Sequence, residues 1–590
     1  MRSNSIDSPG ETRATNAASP SNGRPRRQFL ATARRRTEIG LAALVMLSAV
    51  GVLPVGAQAD ETPVGAPQLI PAPVSLETTG EDFVLGPHSR VTVEPAAPGE
   101  VVAVAGDFAA FLRVATGYDL PVARRGWGVD HRPSVPGGLP KDVHFSLGGD
   151  EDELGQEGYT LSVDSDVVFV TAATDEGLFR GTQTLRQLFP PQIESASVQP
   201  GPWVLPGVHI VDFPRYEWRG AHLDVSRHFL EVDEVKRYID LLALYKINRF
   251  HLHLSDDQGW RIQIDSWPDL TLIGGASEVG GGPGGYFTKE DYTEIVEYAA
   301  DRYIIVVPEI DVPGHTNAAE VSYPELNSCR PDNLPSHRVN LGPPWNQQQH
   351  YTGTGVGFSS LCVNDEITYE FMADVIREIS EITPGPYFHI GGDEAFQTPL
   401  ASYVMFMDRM RDLVEDNGKI MMGWAELARA NPLPGSVAQH WSTATGGGSG
   451  GNLARMAVAK DMKVVMSPAN RIYLDMKYAP GVPPNLGLTW AGTVEVMRSY
   501  DWNPGTHLTG VTDNNIIGVE APLWTETILN ISDAEFMAFP RLAGVAEIGW
   551  TPQSGRVWDE YRLRLAAQAE RWDVLDLNYY PSPQVPWSAP

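Results

Sequence analysis

The stretch Phe250-His251-Leu252-His253-Leu254-Ser255-Asp256-Asp257 reads as a short apolar strand that runs directly into a pair of acids. Seven further segments of this kind lie beyond Phe213-Pro214, so that the full set is centred on Ala221-Leu223, Phe250-Leu254, Ile304-Val307, Tyr387-Ile390, Ile420-Gly423, Val437-His440, Val464-Ser467 and Ile517-Val519. Between them the pattern turns helical. Val232, Val235, Ile239 and Leu242 recur at helical spacing, and Thr288 with Asp291 makes a capping box ahead of Tyr292, Ile295, Val296 and Ala299. Strands alternating with amphipathic helices indicate a parallel sheet with crossover connections, and eight such units predict an α/β fold, a (β/α)8 TIM barrel over 213–590. The runs Gly280–Gly285 and Gly446–Gly451 read as loop insertions; neither is followed by the Lys-Ser or Lys-Thr that a phosphate-binding loop requires.

A barrel of this type carries its chemistry at the C-terminal ends of its strands. Here the first strand runs into Asp224, Arg227 and His228, the second into Asp256 and Asp257, the third into Glu309, Asp311 and His315, and the fourth into Asp393 and Glu394. The remaining four lead to Trp424 and Glu426, to Trp441, to Tyr473 and Asp475, and to Trp524 and Glu526. Buried carboxylates are costly without a task or a partner, so a ring of them at successive strand ends indicates a working site. Tryptophan offers a broad apolar face on which a pyranose ring can stack, so acids and tryptophans together point to a carbohydrate. Trp203 and Trp218 read as core. Glycosidases commonly set two carboxyls across one glycosidic bond. Asp393 and Glu394 are the obvious pair, but neighbours in extended chain point to opposite sides. One would then act on the leaving group while the other holds something else in place.

The rest of the chain frames this barrel. Residues 1–59 read as an export signal: arginines including Arg26, Arg27 and Arg34 to Arg36 precede an uncharged run from Ile39 to Leu53, and Ala57-Gln58-Ala59 offers a cleavage site. A retained anchor is the alternative, against which Pro54 and the Ala-x-Ala triplet argue. Arg26-Arg27-Gln28-Phe29-Leu30 resembles a twin-arginine signal, which leaves the export route open. Residues 60–212 mix short strands with helices, as at Val91–Val93, Phe108–Ala115 and Val167–Thr171, and predict a small α+β domain without catalytic residues. The net charge is −30, and loss of the signal makes it about −35, which disfavours nucleic acid and anionic membranes as partners. Cys329 and Cys362 are the only cysteines, a plausible structural disulfide outside the cytoplasm.

The residues Arg219-Gly220 with Asp224 to His228, His253 to Arg261, Pro308-Glu309-Ile310-Asp311-Val312-Pro313-Gly314-His315 and His389-Ile390-Gly391-Gly392-Asp393-Glu394 resemble, in order, the signatures of glycoside hydrolase family 20, the β-N-acetylhexosaminidases. Glu157 to Leu161 and Gly177 to Leu188 are similar to the small domain that precedes the barrel in that family. The resemblance implies an exo-acting, retaining enzyme in which the substrate's own 2-acetamido oxygen is the nucleophile, with no cofactor. It implies that Glu394 is general acid and then base, that Asp393 orients the acetamido group, and that Tyr473 donates to its oxygen. Trp424, Trp441 and Trp524 would wall the pocket, with Trp490 a further aromatic; Arg227, Asp475 and Glu526 would bind sugar hydroxyls. Asp256, Asp311 and His315 would lie beneath Glu394 and adjust its proton affinity. The partner is an oligosaccharide ending in a β-linked N-acetylhexosamine, such as a chitin fragment.

Two other readings use the same residues. His251 and His253 lie on one face of a strand, as metal ligands often do, although a third and fourth ligand have no evident source in the sequence. A non-catalytic carbohydrate-binding protein on the same scaffold is the other. Intact Asp393, Glu394 and Tyr473 argue against it.

Overall fold

The computed structural model describes residues 66–125, 141–327, 349–445 and 449–587. The expected export signal, Cys329 and part of the second glycine run lie outside the described residues.

The N-terminal part is a seven-stranded sheet ordered Ser75–Thr78, Val208–Asp212, Tyr159–Val163, Val167–Ala172, Asp142–Leu147, Arg90–Val93 and Val122–Arg124. Two helices, Gly99–Thr116 and Asp175–Leu188, pack on it and on each other. The first buries Val101, Val104, Ala105, Phe108, Leu112 and Ala115, a stripe at three- and four-residue spacing. It stops where Gly117 adopts a left-handed φ of 67° and returns its N–H to the Arg113 carbonyl. All three elements expected here from sequence are present.

Beyond it, eight parallel strands close into a barrel: β1 (Trp218–Asp224), β2 (Arg249–His253), β3 (Ile305–Glu309), β4 (Tyr387–His389), β5 (Ile420–Trp424), β6 (Val437–His440), β7 (Lys463–Met466) and β8 (Ile516–Ala521). These are the eight anticipated strands. Alternation along each strand divides its residues. Ala221, Leu223, Phe250 and Leu252 belong to the large apolar core that the surrounding helices complete. Their neighbours His222, Asp224, His251 and His253 are equally buried but polar. Register then stacks them in rows: Asp224 pairs with His253, His253 with Glu309, and Glu309 with His389. The upper interior of this barrel is thus a layer of imidazoles and carboxylates, where branched apolar side chains are the rule.

The helix Val232–Leu244 buries Val235, Ile239 and Leu242 as anticipated, and Lys289–Ala300 opens on the Thr288–Asp291 capping box. Cys362 is disulfide-bonded. Among the described residues no helix is long and apolar enough to cross a membrane.

Candidate active site

Strand β4 ends at His389, and the chain does not continue extended. Gly391 and Gly392 take φ of 62° and 99°, and Glu394 itself sits at 46°, in the left-handed region that a side chain seldom adopts. This corrects the premise that neighbouring acids here must diverge. The turn is held from two sides: Gly392 N donates to Asp311 Oδ1 at 2.9 Å, and its carbonyl accepts from the Tyr403 hydroxyl at 2.8 Å. As a result both carboxyls face one cavity of about 440 Å³ at the C-terminal mouth of the barrel.

The same cavity is reached by Arg227 and His315 from the ends of β1 and β3, and by Trp441, Tyr473 and Trp490 from the loops after β6 and β7. Trp524 and Glu526 follow β8 and close the circle. Tyr473 and Trp524 stand 6.4 Å apart, and Trp441 and Tyr473 each meet Trp490 edge-on at 5.9 and 5.7 Å. Trp490 is 52% exposed, so its ring forms the rim of the cavity. Trp424 is not on the surface of the cavity. Its ring centroid lies 5.7 Å from that of Trp524, behind the lining, and its Nε1 donates to Glu309 Oε1 at 2.9 Å. Asp475 also stands behind the lining, with both carboxylate oxygens buried and without a hydrogen-bond partner among the described residues; Glu526, in the lining itself, likewise has Oε2 buried and without such a partner. Such groups are costly unless a ligand hydroxyl meets them.

The charges are arranged around His315. Its Nδ1 is 3.1 Å from Asp256 Oδ1, and its Nε2 is 3.6 Å from Glu394 Oε2, 3.9 Å from Asp393 Oδ2 and 4.0 Å from Asp311 Oδ2. Burial opposes its charge, but Asp256 and Asp311 outweigh that and hold the imidazole protonated well above its usual range. Asp256 also receives Arg227 Nη2 at 2.8 Å. Asp393 is pushed up to about 7, first by burial and then by the nearby Glu394, Glu426 and Glu309 charges, against the pull of His315. Burial, then Asp393 and Asp475, raise the Tyr473 phenol well above its ordinary value, which keeps its proton available for donation.

The residues expected to matter are therefore brought together, with Asp256 and Asp311 below His315, and Trp424 and Asp475 one layer behind the surface. Sequence reasoning missed Thr354, Val356 and Leu488, which also line the cavity from long loops without periodicity. It placed Glu309 at a strand end without a role, although Trp424, His253 and His389 all converge on it. His251 and His253, the rival metal ligands, face carboxylates on both ring nitrogens: Glu520 and Glu309 for the first, Glu309 and Asp256 for the second. The fold also brings the further ligand types that the sequence did not reveal, since His251 lies with Glu309 and His389, and His253 with His222 and Glu309, in groups whose ligand atoms are within 4.8 Å of one another.

Residues 216–402 and 397–553 match the model described as glycosyl hydrolase family 20, catalytic domain, and residues 66–213 match that of domain 2 of the same family. The chain is 40% identical over 524 residues to a β-N-acetylhexosaminidase of Cellulomonas fimi, covering 88% of this chain and 97% of that one. Its fold is similar to the family 20 β-N-acetylhexosaminidase of Streptomyces coelicolor A3(2), with a TM-score of 0.81 and 48% identity over 89% of this chain and all of the other. An exo-β-N-acetylglucosaminidase of Vibrio harveyi, solved with N-acetylglucosamine, is similar at a TM-score of 0.71 and 27% identity, covering 88% of this chain and 78% of that one.

Proposed function

The chain belongs to glycosyl hydrolase family 20, and from that premise we propose how its residues divide the work of the reaction. It is a glycoside hydrolase, a β-N-acetylhexosaminidase that removes terminal N-acetylglucosamine with retention and with assistance from the substrate's 2-acetamido group.

The terminal sugar enters the cavity with its hydroxyls toward Arg227, Asp475 and Glu526 and its acetamido methyl between Trp441 and Trp524, with Trp424 behind the lining. In the first step the acetamido oxygen forms a bond to C1 while the C1–O bond to the leaving group breaks, and the proton of Glu394 goes to the departing oxygen. Asp393 accepts the acetamido N–H and balances the positive charge of the oxazolinium ring; the Tyr473 hydroxyl donates to the acetamido oxygen and aligns it. In the second step water attacks C1, gives its proton to Glu394, and the ring oxygen returns to the acetamido group. The observation that carries this assignment is that Asp393 and Glu394 line one cavity with a single imidazole nitrogen, His315 Nε2, within 4.0 Å of both. Two adjacent acids so placed suit one leaving group and one acetamido group better than two faces of a glycosidic bond.

The test is hydrolysis of an aryl N-acetyl-β-glucosaminide beside the matching aryl β-glucoside, in chelator. Cleavage of the acetamido sugar alone is expected; equal cleavage of both removes the acetamido nucleophile and the role of Asp393 with it. We also propose that the natural substrates are chitin fragments met outside the cytoplasm after removal of residues 1–59. N-terminal sequencing of protein recovered from the culture medium is expected to begin at Asp60, and a cytoplasmic, uncut chain would contradict export.

A further inference from the structure

Seven side chains of the barrel form a line of alternating charge type that ends on Glu394. Glu520 Oε1 lies 2.7 Å from His251 Nδ1; His251 Nε2 is 3.1 Å from Glu309 Oε2; and the same oxygen is 2.5 Å from His253 Nδ1. His253 Nε2 is then 2.9 Å from Asp256 Oδ2, Asp256 Oδ1 is 3.1 Å from His315 Nδ1, and His315 Nε2 is 3.6 Å from Glu394 Oε2. The six inner members are fully buried. Both ring nitrogens of His253 hydrogen-bond to carboxylates, and both can donate only when each carries a proton, so the geometry asks for an imidazolium at His253.

We infer that this line works as one electrostatic array in which His253 and Glu309 are positioning residues that govern how readily Glu394 releases its proton, an inference that rests on Glu394 being the general acid. Burial pulls both inner imidazoles down, but their carboxylates outweigh it: Glu520 and Glu309 raise His251 to about 9, and Glu309 with Asp256 raises His253 to about 10. The other groups facing His253 are Asp224, which adds to its charge, and His222, which burial keeps neutral. Glu309 is further fixed by Trp424 Nε1, which donates to its Oε1 at 2.9 Å. His315 meets Asp256, Asp311, Asp393 and Glu394, and Asp256 is shared with Arg227. Without the His253 cation, Asp256 is less neutralised and the field at Glu394 becomes more negative, which opposes transfer of the Glu394 proton to the leaving group. Glu309 acts one place further back by keeping His253 charged.

The experiment uses His253→Gln, which retains an amide donor but loses the charge, and Glu309→Gln, each assayed across pH with aryl glycosides of graded leaving-group acidity. The alkaline limb of kcat against pH is expected to rise by about half a unit to one unit in His253→Gln, and by less in the same direction in Glu309→Gln. A fall in kcat of about tenfold is expected on poor leaving groups and little on activated ones, a fraction of the roughly 10²–10⁴-fold that a general acid supplies, with KM nearly constant. A limb that stays in place or moves down, in protein that still binds N-acetylglucosamine with its original inhibition constant, overturns the array. His253→Gln decides alone should Glu309→Gln fail to fold. Glu394→Gln is the control: if its losses do not grow as the leaving group worsens, the role of Glu394 fails instead, and the two failures are distinguished.

Discussion

Asp393 shows what a working carboxyl costs its own fold. Its folded value of about 7 lies above the ordinary 3.8, so the sign of its effect on stability is fixed. Below pH 3.8 both the folded and unfolded chains hold the proton; as the pH rises toward 7 the unfolded chain releases it first, and the folded state loses ground. Asp393→Asn removes this titration. The variant is expected to melt about 3–6 °C above the wild-type protein at pH 8 and at the same temperature at pH 4, while losing activity at both; calorimetry at the two values checks it. A higher melting point at pH 4 but not at pH 8 would reverse the argument. Gains of this kind are common when a strained or charged active-site residue is neutralised.

The turn after β4 is the element on which the site depends. A Cβ at Gly391 would fall 1.7 Å from Asp311 Oδ1, on a backbone with φ of 62°. Gly391→Ala is therefore expected to displace Asp311 and, through Gly392, the whole Asp393-Glu394 pair. A misplacement of that order costs roughly 10²-fold in rate, and kcat should fall by at least that while the far-ultraviolet circular dichroism spectrum is retained. The turn also marks where sequence stopped being readable. The eight strands could be read because alternation and helical spacing are local, and the acids and tryptophans at their ends could be placed because strand direction fixes where a βα loop lies. The pair Gly391-Gly392 was the only local sign that the next residues would not be extended, and its consequence for Glu394 depends on Asp311 and Tyr403, which come from other parts of the chain. The polar interior was hidden for the same reason: His251 shows in sequence only that it shares a face with His253, while its partners Glu309 and Glu520 arrive from β3 and β8.

Across the whole molecule, the small domain and the barrel are joined by buried charge as well as by apolar surface. Glu157 takes Arg180 Nε at 2.9 Å and Asn248 Nδ2 at 3.0 Å and pairs with Arg219 at the start of the barrel. Burial pushes this carboxyl up, but the two arginines outweigh it and hold it below its usual range. Its contribution is present above the ordinary value of 4.5 and is lost as the pH falls through the lowered one. Glu157→Gln leaves Arg219 in the interior without a carboxylate, while Arg180 keeps Glu176 at 2.8 Å, so a loss of about 3 kcal/mol is expected at pH 7, shrinking in acid; urea melts at the two pH values measure both. The second link is Trp550, from the last third of the barrel, which belongs to the apolar core of the small domain and donates to Asp212 Oδ1 at 2.8 Å. On the ribosome this has a temporal meaning. The sheet of the small domain is complete in sequence once Asp212 has emerged, but its core lacks a tryptophan that is synthesised more than 300 residues later, so the part of the chain made first is finished only when nearly all of the chain has been made.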